Sequence, residues 1–127
     1  MASSDDIAKV LVRLGLSLVI LWFAVNQLFR PDYFIGYLPE FLFSSPNAAL
    51  FVQANGVFEV VFGLMLLLGV LTRFVAAVLA LHLLGIMLSL GYNENAIRDF
   101  GLMIALMSVA VAGEDIWSIK HLRKLIR

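Results

Sequence analysis

Four long apolar runs fill this chain and leave few polar residues to cover them. They extend to spans of about 10–29, 48–71, 74–91 and 96–113. A helix needs roughly 20 apolar residues, rising about 1.5 Å each, to cross about 30 Å of hydrocarbon. The first two runs have that length, and the last two reach it with a few flanking residues. A soluble helical bundle needs a polar face on each outer helix, and these runs supply none. Apolar residues make up 62% of the chain and charged residues 14%, against about half and a quarter in soluble domains. The expectation is all-α: one transmembrane domain over 1–127, an integral membrane four-helix bundle with antiparallel helices.

The connections support this arrangement. Runs two and three are joined only by Thr72 and Arg73, which forces a hairpin. The link between runs three and four, 91–95, is also short. The segment 30–47 holds Pro31, Pro39 and Pro46 among Tyr33, Phe34, Tyr37, Phe41 and Phe43. It is too apolar for a solvated loop and too interrupted for a span, so it is expected to lie in the headgroup layer. Gly56, Gly63, Gly69, Ala76, Ala80, Gly85 and Ser89 are small residues suited to close helix approach.

Orientation follows from the basic residues. Lys9, Arg13, Arg73, Lys120, Arg123, Lys124 and Arg127 fall on one side, and Arg30 and Arg98 on the other. Both termini are therefore expected in the cytoplasm, with the chain multi-pass in the inner (cytoplasmic) membrane. Arg13 and Arg73 read as topology anchors, and Arg73 also as a partner for the helix-end carbonyls near Leu71. The tail 116–127 reads as a basic amphipathic segment. Residues 1–9 are polar and carry Asp5 and Asp6, unlike the basic start of a cleavable signal peptide, so the first run is expected to be retained.

Lys and Arg balance Asp and Glu at nine each, so no basic stripe for nucleic acid is present. The absence of Cys removes dithiol chemistry and thiolate-held metal. No glycine-rich phosphate loop or serine-nucleophile motif appears. His82 and Glu59 are too few for a metal site, and His121, in the tail, is on the wrong side to join His82 on a haem.

The informative residues are polar ones inside apolar runs, which should face the bundle interior or a polar cavity. Glu59 lies near the middle of run two on one face with Val52, Asn55, Gly63 and Leu66. His82 lies within run three. Arg98 and Asp99 open run four, and Asn26 and Gln27 close run one. Counting about 1.5 Å per residue from the shared turn, Glu59 sits about 18 Å and His82 about 12 Å deep, within side-chain reach of each other. The candidate ligand-binding set is Glu59, His82, Arg98, Asp99 and Asn55, forming a pocket open toward the outer face. If a reaction is catalysed, His82 and Glu59 are its candidate proton carriers. Two readings stand, a structural polar network and a ligand or proton-handling site.

The stretch NGVFEVVFGLMLLLGVLTRFVAAVLALHLLGIMLSLGY, 55–92, resembles the DoxX family of small four-helix membrane proteins. The resemblance rests on Glu59, Gly63, Gly69 and Leu71-Thr72-Arg73 in order. Arg13-Leu14-Gly15, the Tyr37-Leu38-Pro39-Glu40 connection, Arg98-Asp99 and Gly113 followed by Trp117-Ser118 extend it. Two departures stand out: Ala24-Val25-Asn26-Gln27 where many relatives have Gly-x-x-Lys, and Glu114-Asp115 where Pro-Gly is usual. The family takes its name from a subunit linked to thiosulfate:quinone oxidoreduction. The resemblance implies a four-helix membrane fold and a role beside redox partners. The leading expectation is an accessory or binding protein that holds a quinone-like or lipidic ligand, or a partner membrane protein, in its polar cluster. The alternatives are a proton-handling component of a quinone-linked oxidoreductase and a small proton-coupled transporter. No cofactor is encoded, and a bound quinone is the candidate. The partners expected are the lipid bilayer and either a membrane-associated redox protein or a second copy of the chain.

Overall fold

A computed structural model describes residues 3–37, 45–90 and 94–118. Among them are four α-helices and no strand: α1 (Ser4–Phe29), α2 (Ala48–Leu68), α3 (Thr72–Leu90) and α4 (Glu94–Ala112). A short 3₁₀ helix, Pro31–Tyr37, follows α1 in the aromatic-rich connection. The remainder of that connection, 38–44, and the tail from 119, including His121, lie outside the described residues, as does Tyr92.

Helix α1 starts well before the apolar run. The Ser3 hydroxyl accepts from the Asp6 N–H at 3.1 Å, and the Asp6 carboxylate accepts from the Ser3 N–H at 3.0 Å. This reciprocal capping box ties down two otherwise orphaned donors, and Asp5 and Asp6 complement the helix dipole. The polar start is thus the first turn of the helix.

The α2–α3 turn also falls earlier than expected. Gly69 ends α2 in the left-handed conformation, φ 75°, and its N–H reaches the Leu66 carbonyl. The Val70 N–H bonds to the Met65 carbonyl at 2.9 Å. The linker is therefore Gly69-Val70-Leu71, and Thr72 and Arg73 belong to α3. Gly69 serves as a helix cap, because glycine takes that φ without strain.

Helices α1 and α2 pack closely, as do α3 and α4, while the α1–α4 and α2–α3 contacts are sparser. The α1–α2 seam is a seven-residue repeat. On α1 the buried stripe includes Val10, Arg13, Ser17, Ile20, Ala24 and Gln27, and on α2 Val52, Gly56, Glu59, Gly63 and Leu66. Such three-and-four spacing keeps one face toward a partner helix. A Cβ on Gly56 would lie 3.1 Å from the Ala24 carbonyl oxygen, and one on Gly63 2.9 Å from Leu21 Cδ2. These two glycines set how near the backbones come. The common core joins Leu16 and Ile20 to Leu66, to Val75, Ala76, Leu79 and Ala80, and to Met103, Leu106 and Val109.

Apolar side chains also cover the outside. Leu18, Trp22, Leu64, Leu81, Ile104 and Val111 are exposed, and the mean hydropathy is +0.98. Among the described residues, α1 and α2 are long and apolar enough to cross a membrane, and Thr72–Leu88 is a shorter apolar stretch.

Candidate functional site

All four helices and the 3₁₀ helix contribute to a cavity of about 540 Å³. Its walls include Val19, Phe23, Phe34, Phe51, Leu79, Ile86 and Leu102, and its polar side is Gln27, Asn55, Glu59, His82, Arg98 and Asp99. The volume is that of an ordinary small-molecule pocket, with apolar walls and a few convergent polar groups.

Glu59 is the hub. It is placed there by the α2 stripe and is only 7% exposed. Its Oε2 accepts from Gln27 Nε2 at 3.0 Å, and its Oε1 from Asn55 Nδ2 at 3.1 Å. The Asn55 amide also donates to Gln27 Oε1 at 2.6 Å, closing a triangle between α1 and α2. His82 approaches from α3, with Nε2 3.3 Å from Glu59 Oε1. Its ring rests against Phe58, centroids 4.6 Å apart, and Phe58 rests in turn on Phe62. With Nε2–H given to Glu59, a neutral His82 keeps Nδ1 as an acceptor.

Arg98 and Asp99 lie on the same cavity but do not join this triangle. Arg98 Nε is 4.0 Å from Asp99 Oδ1, and the Arg98 side chain is 50% exposed. Its guanidinium lies over the Phe23 ring, 5.5 Å from the centroid, and Phe23 meets Phe34 edge to face at 6.2 Å. Arg98, grouped with Glu59 in the candidate set, lies on the same cavity wall but over the Phe23 ring rather than at Glu59. Asn26, grouped with Gln27 in the sequence, instead bonds its own helix at the Trp22 carbonyl. Gln27 is the residue that reasoning on the sequence left out of the candidate set. The available signal was its register, seven residues after Ile20 on the buried stripe of α1.

A second polar cluster lies about 21 Å further down α1, counting 14 residues from Gln27 to Arg13. Arg13 is 1% exposed. Its Nε and Nη2 grip the two carboxylate oxygens of Asp115 at 2.6 and 3.0 Å. Its Nη1 donates to the Leu66 carbonyl at 3.0 Å and also to that of Leu67, satisfying the open end of α2. Asp115 additionally accepts from the Trp117 N–H at 2.9 Å, and the Ser118 hydroxyl donates to the Asp115 carbonyl. Arg13 is thus no surface anchor. It, and not Arg73, supplies the bonds to helix-end carbonyls. Arg73 is exposed, and its guanidinium lies against Gly113, which turns the chain out of α4 at φ 79°.

Among the described residues, no group of three or more His, Asp or Glu side chains is arranged to hold a metal ion. The fold and cavity define a class: a small helical protein with membrane-length apolar helices and a polar-sided internal pocket. The DoxX family profile matches residues 8–91, and the chain belongs to the DoxX family. Membership and the two apolar helices together support a membrane protein. The match takes in Gln27, Asn55, Glu59 and His82 and stops before Arg98, Asp99 and Asp115. No curated protein and no solved structure matches the chain.

Proposed function

We propose that this protein is a membrane-embedded binding or accessory protein whose cavity holds an amphiphilic ligand, quinone-like or lipidic. The observation that carries this reading is the joining of the Gln27–Asn55–Glu59 triangle and His82 to one side of an otherwise apolar cavity of about 540 Å³. An apolar tail gains by leaving water or replacing lipid along the walls, and the polar residues orient the head. In this reading the whole chain forms one domain and all four helices cross the bilayer antiparallel to their neighbours. The segment 30–47 lies at the interface, and both termini are on the cytoplasmic side of the inner membrane, as the distribution of basic residues favours.

A second reading is supported by the 3.3 Å approach of His82 to Glu59. As a bound quinone is reduced, protonated His82 gives its Nδ1–H to the quinone oxygen and keeps Nε2–H next to the Glu59 carboxylate. The pair then handles protons for a quinone-linked oxidoreductase, with electrons supplied by a partner protein.

The test is native mass spectrometry of the full chain extracted in mild detergent, with the released small molecules identified. A single amphiphile retained by the wild type and lost from H82A and N55A supports the pocket reading. Equal ligand content in all three proteins, or retention only of bulk lipid, overturns it. Turnover with an electron donor and a partner fraction selects the proton-handling reading.

A further inference from the structure

The buried Glu59 carboxylate has no permanent cation among the described residues. Two of its contacts come from neutral amides and the third from His82. The amide nitrogens donate to the carboxylate oxygens, and His82 Nε2 donates as well in the tautomer that carries its proton there. The amide orientations are mutually consistent, since Gln27 Oε1 is occupied by Asn55. Arg98, the guanidinium on the cavity wall, is next to Asp99 and over Phe23, and makes no ion pair with Glu59. With His82 neutral, the wall carries two carboxylates against one cation.

A buried charge without a counter-ion is costly, and neutral dipoles reduce that cost without removing it. A proton on the Glu59–His82 pair can supply the missing charge in the empty cavity, and a cationic occupant supplies it when bound. The surroundings suit an organic cation, because the walls are apolar and aromatic faces attract ammonium groups. Asn55 Oδ1 makes no hydrogen bond among the described residues, so it can accept one beside the carboxylate.

We infer that the cavity selects an amphiphilic organic cation, with an ammonium head on Glu59 and Asn55 and its apolar body along Phe23, Leu79 and Ile86. This deepens the pocket reading and rests on it, and it favours a charged head over a neutral quinone.

The experiment uses the full chain in a non-ionic detergent with four probes: decylammonium, decanol, decanoate and a short-tailed benzoquinone. Native mass spectrometry gives stoichiometry and thermal shift gives relative affinity. Decylammonium is expected to bind one to one and at least tenfold more tightly than decanol, with decanoate weakest. E59Q should erase the preference. Q27K should erase it as well, by placing a resident ammonium beside the carboxylate that Gln27 Nε2 now touches at 3.0 Å; if E59Q does not fold, Q27K decides. Decanol or the quinone binding as tightly as decylammonium, or a preference that survives in the folded variants, overturns the cationic class and leaves the pocket reading standing. Failure of every probe to bind one to one overturns both.

Discussion

Glu59 and Arg13 are both buried charges on the α1–α2 seam, and they are satisfied in opposite ways. Arg13 has a full counter-charge, held bidentately, and its remaining donor serves two carbonyls. That cluster is closed and electrically balanced. Glu59 has amides, a histidine and a cavity. Its cluster is open and, among the described residues, has no Lys or Arg paired with it. The difference separates two uses of a buried ion. A complete set of partners fixes an arrangement of chain segments, whereas an incomplete set beside open volume leaves room for a ligand.

The sharpest way to break this comparison is R13A. It strands Asp115 in the interior and uncaps α2, and is expected to destabilise by about 3–5 kcal/mol, read by unfolding in detergent with increasing SDS. The double variant R13M/D115L should recover most of that loss, since an apolar pair removes both charges together. A single-variant loss under about 1 kcal/mol would abolish the distinction between the clusters.

Next in size is G113A. A residue with a Cβ at φ 79° is strained, and here it also meets the Arg73 guanidinium. A loss of about 1–2 kcal/mol is expected, with G101A as the control because its Cβ would enter open space. Equal melting of the two variants would show that the turn into Asp115 carries no constraint.

E59Q should destabilise less, by about 1 kcal/mol, because its amide partners are neutral and none becomes a lone ion. Its effect belongs in ligand binding. A loss as large as that of R13A would make Glu59 a structural ion and dissolve the contrast. The smallest effect is expected for R98A, within about 0.5 kcal/mol, because that side chain is half exposed and only loosely paired. A larger loss in the same unfolding assay would place Arg98 inside the closed network.

The four helices were legible because apolar runs of this length have few other ways to satisfy a backbone. Their ends were less so. Hydropathy alone puts the start of α1 near residue 10, whereas Ser3 and Asp6 begin it by hydrogen bonding, which hydropathy does not measure. Glu59, His82 and Asn55 were legible as a set because a polar residue within a long apolar run needs a partner. Gln27 was passed over since it stands at a helix end, where polar residues are ordinary. Arg13 was misread for a related reason: near the end of a run, a cation looks like a boundary marker, and only its register with Ser17, Ile20 and Ala24 places it inside. Its partner has no local signal at all, being 102 residues away.

That separation has a consequence for how the chain is made. Synthesis at about 5–20 residues per second delivers Asp115 on the order of 5–20 s after Arg13. For most of this interval the guanidinium has at most the α2 carbonyls as partners, and only the end of α4 brings the carboxylate that balances its charge. The first helix therefore cannot reach its final state before the last one is finished. A chain that stops short of Asp115 leaves Arg13 without its carboxylate at the end of α2, so this seam closes only once α4 is complete.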